Sequence, residues 1–349
     1  MQTFMTDRKI LIRQFLSAAG WGEAECSNLA GDASFRRYER VRRGGETSVL
    51  MDAPPPHEDV RPFLRIAGWL AGHGFSAPRI LASDVEQGFL LLEDLGDDLY
   101  TRLLHAGRAD ESVLYAAAID ALLALHRLPP APDLAAYDEQ RLTDEACLFP
   151  DWYLPALTGA PPDEAMRAEF RALWQQLAPQ AVSARPVLVL RDFHADNLLW
   201  LPRRRGVARV GLLDFQDAVA GHPAYDLVSL LEDARRDVAP ALAEAMLARY
   251  IAGAQNGAAP SDADAFRRSY AILGAQRNIR ILGVFTRLWR RDGKPQYQAF
   301  MPRMWGLVER DLAHPALTAL RAWMDRAVSP EQRRRPLPGL PDAATGPAT

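Results

Sequence analysis

Three oxygen-bearing side chains stand out by their spacing. Asp192 and Asn197 frame the run Asp192-Phe193-His194-Ala195-Asp196-Asn197, and Asp214 closes the apolar run Val210–Leu213. The first pair reads Asp-x4-Asn. It lies between two strand-like runs, Val187–Leu190 and Leu198–Trp200. Such a set suits phosphoryl transfer. One carboxylate orients an acceptor hydroxyl and takes its proton. An amide and a second carboxylate offer hard oxygen ligands to Mg²⁺, which bridges nucleotide phosphates. The plainer alternative is a set of loop aspartates closing Asx turns. His194 reads as a structural hydrogen-bonding residue, because Asp192 already fills the role of base. The chain has no GxxxxGK[ST], GxSxG or HExxH, so P-loop, α/β-hydrolase and zincin readings lack their main support.

The elements that must position these residues divide the chain. Residues 6–19 pattern as an amphipathic helix. Phe35–Arg43 and Thr47–Asp52 read as strands joined at Gly44-Gly45, and Pro54-Pro55-Pro56 ends the second. Glu58–His73 reads as a helix, and Arg79–Ser83 and Gly88–Glu93 as two further strands. Beyond Asp94-Leu95-Gly96 the pattern is mainly helical, interrupted by the short β-rich island that carries Asp192, Asn197 and Asp214. The expected organisation is α+β: a small β-rich lobe over 1–95, a larger helical lobe over 96–328, and a disordered Pro/Gly/Arg-rich tail over 329–349.

Composition narrows the setting. The 349 residues carry 41 Lys+Arg against 44 Asp+Glu, a formal charge of −3. That balance argues against a nucleic-acid partner. No apolar run is long enough to span a membrane, and charges at Asp7, Arg8, Lys9 and Arg13 break up any signal-peptide core. Two cysteines, Cys26 and Cys147, make no disulfide framework. A cytoplasmic location is expected. The oligomeric state is left open.

The motif set resembles a family. D-F-H-A-D-N-L-L, followed by L-L-D-F-Q-D-A-V-A-G-H-P-A-Y-D-L, looks like the aminoglycoside phosphotransferase/choline kinase branch of the protein-kinase-like fold. The resemblance implies a bilobal fold, ATP and Mg²⁺ as cofactors, Asp192 as the catalytic aspartate, and Asn197 and Asp214 as metal ligands. It also implies that Asp226, in the Gly221–Leu227 segment, steadies the catalytic loop. Gly31, Ala33, Ser34, Phe35 and Arg36 take the place of the phosphate-covering loop. Glu93 and Leu95 mark the hinge that meets the nucleotide base. One position departs. Kinase-like folds carry a lysine on the third strand, and the aligned residue here is Met51. The only lysines, Lys9 and Lys294, lie elsewhere. Glu58 stands where the helix glutamate would be, without its lysine, and Arg36 or Arg37 is the expected replacement cation.

Further motifs, from G-D-A-S-F-R-R-Y to A-Q-R-N-I-R-I-L-G, resemble the anomeric kinases of N-acetylmuramate and N-acetylglucosamine, a subgroup that shares the methionine. That resemblance implies a small amino-sugar acceptor, a place in peptidoglycan recycling, and a sugar-1-phosphate nucleotidyltransferase as the next enzyme. Aminoglycoside, choline or homoserine kinases, and a nucleotide-binding pseudokinase, are the alternatives. Two features suit a sugar. Asp151, Trp152 and Tyr153 offer aromatic faces and a hydroxyl acceptor. Arg277, Arg280 and Arg287 share one side of an apolar helix, where buried arginines need anionic partners. Those partners are structural carboxylates, phosphates or the lactyl carboxylate of N-acetylmuramate.

Overall fold

The computed structural model describes residues 2–29, 35–255 and 262–340. It comprises two compact units, residues 1–121 with 195–218 and residues 122–194 with 219–349.

The first unit is built on a five-stranded antiparallel sheet in the order β1-β2-β3-β5-β4. Its strands are β1 (Glu25–Asn28), β2 (Arg37–Arg43), β3 (Glu46–Asp52), β4 (Ile80–Asp84) and β5 (Phe89–Glu93). Alternation along the strands decides its two faces. Val41, Leu50, Phe89 and Leu91 join Phe15 and Leu16 of the helix Gln2–Ala18, and Trp21, in one buried cluster. Asp52 lies on that same face, where Arg8 holds it at 2.6 Å. The opposite face carries Tyr38, directly across from Met51, which in turn opposes Leu90. The β4–β5 turn needs Gly88: its φ is +71°, and a Cβ there would collide with the Ala53 carbonyl oxygen. The helix before β4 starts at Arg61 rather than Glu58, with Pro62 in its first turn.

The first unit also holds the hairpin of β6 and its neighbours in part only. β7 (Leu198–Trp200) pairs with β8 (Val210–Leu212) there, whereas β6 (Val187–Val189) pairs with β9 (Val219–Gly221) in the second unit. This corrects the expected boundary at residue 95. Trp200 N–H donates to the Asp98 carbonyl and Leu212 N–H to the Ser76 carbonyl, at 2.8 and 2.9 Å. These bonds tie residues 195–218 to Asp98 and to the segment just before β4.

The second unit is helical around the long helix Ala263–Arg290, which is buried on almost every side. Its Gly283 is required by packing, since a Cβ would run into the Leu148–Phe149 backbone. The expected disordered tail needs a second correction. Residues 330–333 form a helical turn with a full capping box between Ser329 and Gln332. Arg333 is buried, reaches Asp325 at 2.6 Å and Glu309 at 3.3 Å, and lies over the Trp305 ring. Residues 341–349 lie outside the described residues. Among the described residues, no helix is long and apolar enough to cross a membrane.

Candidate active site

Asp192 follows β6 in the second unit. The loop carrying it is pinned by Asp226, which is fully buried in the first turn of the helix Ala224–Leu231. Its two carboxylate oxygens accept from Leu190 N–H at 2.8 Å and Arg191 N–H at 2.9 Å. Charge-assisted bonds of this kind contribute about 1.5–3 kcal/mol each. They hold Arg191 at φ +70°, a strained value for an arginine. Asp192 then closes the turn, donating from its N–H to the Leu190 carbonyl and accepting from His194 N–H.

The charges around Asp192 are mostly positive. Burial raises its pKa, but His194, Arg277, Arg280 and Arg191 outweigh burial and hold the carboxyl below the usual aspartate range. The arginines are organised by Glu145, a residue the sequence reading did not single out. Glu145 accepts twice from Arg191 at 2.9 Å, pairs with Arg280 at 2.9 Å and accepts from Tyr137 Oη at 2.7 Å. His194 is buried beside Arg235, 3.1 Å from Nε2. Burial, more than any charge, lowers its pKa, against the carboxylates of Asp233 and Asp192, which raise it.

Asn197 and Asp214 lie in the first unit. Leu213 N–H donates to the Asn197 carbonyl at 3.0 Å, which puts the next residue, Asp214, alongside Asn197. Asp214 has φ +54°, and its Oδ1 accepts from Gln216 Nε2 at 2.9 Å. Its carboxylate also meets Arg36, whose Nη2 is 3.3 Å away, while Arg36 Nε is 3.6 Å from Glu58. Arg36 loses solvation by burial, yet Tyr38, Asp214, Glu58 and Asp217 raise its pKa overall. An amide beside a carboxylate fits Mg²⁺, which takes one or two side-chain ligands and completes its shell with phosphates and water. Among the described residues, no group of three or more His, Cys, Asp or Glu side chains could hold a metal ion.

The remaining nucleotide-side residues are placed as follows. Gly31, Ala33 and Ser34 lie outside the described residues. Phe35 is exposed, stacks on His57 at 4.8 Å, and its N–H donates to Glu58. At the hinge, Glu93 binds Arg204 at 2.7 Å and Arg79 at 3.2 Å, and Leu95 packs over Gly211. Arg40 clamps Asp94 and Asp97 together, which fixes the hinge to β2.

The structure places the acceptor-side residues as follows. Tyr153 is buried, stacked on Phe149 at 5.0 Å, and its hydroxyl accepts from Trp305 Nε1, so it belongs to the core. Asp151 is exposed and held bidentately by Arg167 at 2.8 and 3.1 Å. Trp152 between them is half-buried. Arg277 is buried and donates to Ser229 Oγ and the Glu232 carbonyl. It reaches Asp192 by charge alone. Arg280 stays partly open, with 24% of its side chain exposed.

One further histidine predicts a pH response. His222 Nδ1 accepts from Ala224 N–H at 3.1 Å at the start of the Asp226 helix. Burial first, and the charge of His126 second, lower its pKa to about 4 from 6.5. The unfolded chain therefore binds an extra proton between pH 6.5 and 4. Stability should fall as pH drops through that window, by about 3 kcal/mol at most, and stay level above it. Urea midpoints at pH 7.5 and 5 should show this fall for the natural protein and a smaller one for His222→Asn. Equal falls in both would assign the effect to other groups.

A small antiparallel-sheet unit and a larger helical unit are the architecture of a kinase-like phosphotransferase. Comparison agrees: the chain matches the phosphotransferase enzyme family over residues 25–264 and belongs to that family. It is 43% identical to an N-acetylmuramate/N-acetylglucosamine kinase of Caulobacter vibrioides, over 95% of this chain and 100% of that one. An enzyme of the same name from Pseudomonas aeruginosa is 41% identical, over 87% and 89%. Among solved structures, a choline/ethanolamine kinase family protein from Mesorhizobium loti shares the fold, with a TM-score of 0.59 at 16% identity, covering 91% of this chain and 99% of that one. The gentamicin complex of APH(2")-IIa does likewise, with a TM-score of 0.54 at 14% identity, over 84% and 93%.

Proposed function

We propose that this phosphotransferase moves the γ-phosphoryl group of ATP to the anomeric hydroxyl of N-acetylmuramate and N-acetylglucosamine. The relatives named for these two sugars support the acceptor class. The observation that carries the reaction is the setting of Asp192, kept ionised among Arg191, Arg277 and Arg280. A carboxylate held this acidic is a weak base, so it suits an acidic hydroxyl. An anomeric hydroxyl is a hemiacetal OH and more acidic than an ordinary alcohol. Asp192 orients it and takes the proton late, and positioning supplies most of the rate. Asn197 and Asp214 hold Mg²⁺, which when bound neutralises charge on the phosphates. Arg36 supplies the cation that the third strand lacks at Met51.

The arginines near Asp192 disfavour cationic acceptors such as aminoglycosides or choline, which need acidic surroundings. A sugar 1-phosphate product suits cell-wall recycling in the cytoplasm, with a nucleotidyltransferase as its consumer. The test is ADP release with Mg-ATP against N-acetylmuramate, N-acetylglucosamine, glucose, an aminoglycoside and choline. Turnover is expected on the two N-acetyl sugars and should vanish on their methyl glycosides, whose 1-OH is blocked. Turnover on cationic acceptors alone would overturn the substrate. ATP binding with no acceptor-dependent ADP release would replace the kinase by a nucleotide-binding pseudokinase.

A further inference from the structure

The helix Ala263–Arg290 carries three arginines on one side, and the structure divides them. Arg277 is spent on Ser229 and a backbone carbonyl. Arg280 is paired with Glu145. Arg287 has no ion pair of that kind among the described residues. It is half-buried, and its Nε is buried with no hydrogen-bond partner among the described residues. Among the described residues the acid that acts on it by charge is Asp292, which Arg291 holds bidentately at 2.7 and 2.9 Å. Burial, Arg291 and Arg280 all push the guanidinium pKa down. A forked donor in net positive surroundings is stabilised by an anion, and a planar carboxylate matches its geometry best.

Position says which anion. Seven residues on a helix turn through about 700°, so Arg287 and Arg280 lie within roughly 20° of one face and about 10 Å apart along the axis. Arg280 in turn acts on Asp192 by charge. The face therefore leads from the carboxylate that meets the acceptor hydroxyl, past Arg280, to Arg287. The two sugars differ at one place. N-acetylmuramate carries a lactyl ether on O3, and its carboxylate is the sugar's only ionised group. N-acetylglucosamine has a hydroxyl there.

We infer that Arg287 receives the lactyl carboxylate of N-acetylmuramate and so determines preference between the two sugars. This rests on the amino-sugar reading above. It makes Arg287 a specificity residue, with no part in transfer to N-acetylglucosamine.

The experiment is steady-state kinetics of Arg287→Gln and Arg287→Lys on both sugars. For the glutamine variant, kcat/KM on N-acetylmuramate should fall about 10- to 100-fold, mainly through KM. Turnover of N-acetylglucosamine should stay within about twofold, which also shows that the variant folds. The lysine variant should keep part of the loss back. With the natural protein, the methyl ester of the lactyl group should lose a similar factor. Equal losses on both sugars, an unchanged kcat/KM on N-acetylmuramate, or a raised KM for ATP would each overturn the assignment; the last would give Arg287 to a phosphate instead. Failure of the underlying reading appears separately, as a natural protein that turns over neither sugar.

Discussion

Asp192→Asn is expected to lower kcat by about a thousandfold or more on every acceptor the protein uses, with little change in fold. The amide keeps the size of the side chain. The backbone bonds of the loop, from Asp192 N–H to Leu190 and from His194 N–H to Asp192, do not depend on the carboxylate. Asp226 continues to hold Leu190 and Arg191 from outside the loop. What disappears is a negative charge facing His194, Arg277, Arg280 and Arg191. On the proposed mechanism, the loss removes both the group that aligns the acceptor hydroxyl and the base that receives its proton. The same change leaves Glu145 as the carboxylate organising Arg191 and Arg280, so a small loss of stability, on the order of 1 kcal/mol, should accompany it. Circular dichroism and thermal melting check the fold, and single-turnover rates at saturating ATP check the chemistry. A variant with near-normal single-turnover rates would take Asp192 out of the reaction. A variant that binds ATP with natural affinity but transfers nothing is the expected outcome, because Arg36, Asn197 and Asp214 are untouched.

The loop between Val189 and Leu198 was legible as a loop because polar residues interrupt two short apolar runs, which the structure makes strands. Glu145 was not legible. It lies in the acidic helix Glu139–Ala146, next to Asp144, and no spacing marks it out from its neighbours. The signal available was indirect: buried arginines require a carboxylate, but only tertiary packing selects which. The same limit explains Tyr153. An aromatic run has the same appearance whether it faces a sugar or the core, and here Phe149 and Tyr153 turn inward against Trp305. The tail was a different kind of miss. Ser329-Pro-Glu-Gln332 is a readable capping signal, and it was outweighed by the proline-rich composition around it. The split of residues 96–121 from the helical unit rests on long-range pairings of Asp98 and Leu99 with Trp200 and Leu199, which local pattern does not contain.

Arg36→Met is expected to lower kcat/KM for ATP by about a hundredfold, and adding Met51→Lys should restore part of it. The argument rests on sheet parity. Residues directly opposite in an antiparallel pair point to the same face, and alternate residues share a face. Tyr38 opposes Met51, so Arg36, two residues before Tyr38, falls on Met51's side. Arg37 opposes Asp52 and falls on the side covered by the helix Gln2–Ala18, where Arg8 already meets Asp52. Of the two arginines expected to replace the missing lysine, parity selects Arg36. Its contacts agree: Glu58 at 3.6 Å stands in for the helix glutamate, and Asp214 at 3.3 Å is the candidate metal ligand. A lysine on the third strand would reach the phosphates from one place on this face, and the guanidinium would reach them from the residue just before β2. One charged contact to a phosphate contributes about 1.5–3 kcal/mol, which is roughly a 10- to 150-fold effect. Removing Arg36 also leaves Glu58 and Asp214 without their shared cation, so Mg²⁺ should bind Arg36→Met more tightly in the absence of nucleotide, while ATP binds less well. ATP and Mg²⁺ titrations of Arg36→Met, Arg37→Met and the Arg36→Met/Met51→Lys pair separate these effects. Arg37→Met is expected to behave as the natural protein. An Arg36→Met variant with unchanged kcat/KM for ATP would remove Arg36 from the phosphate site and leave the third-strand vacancy at Met51 filled by another group.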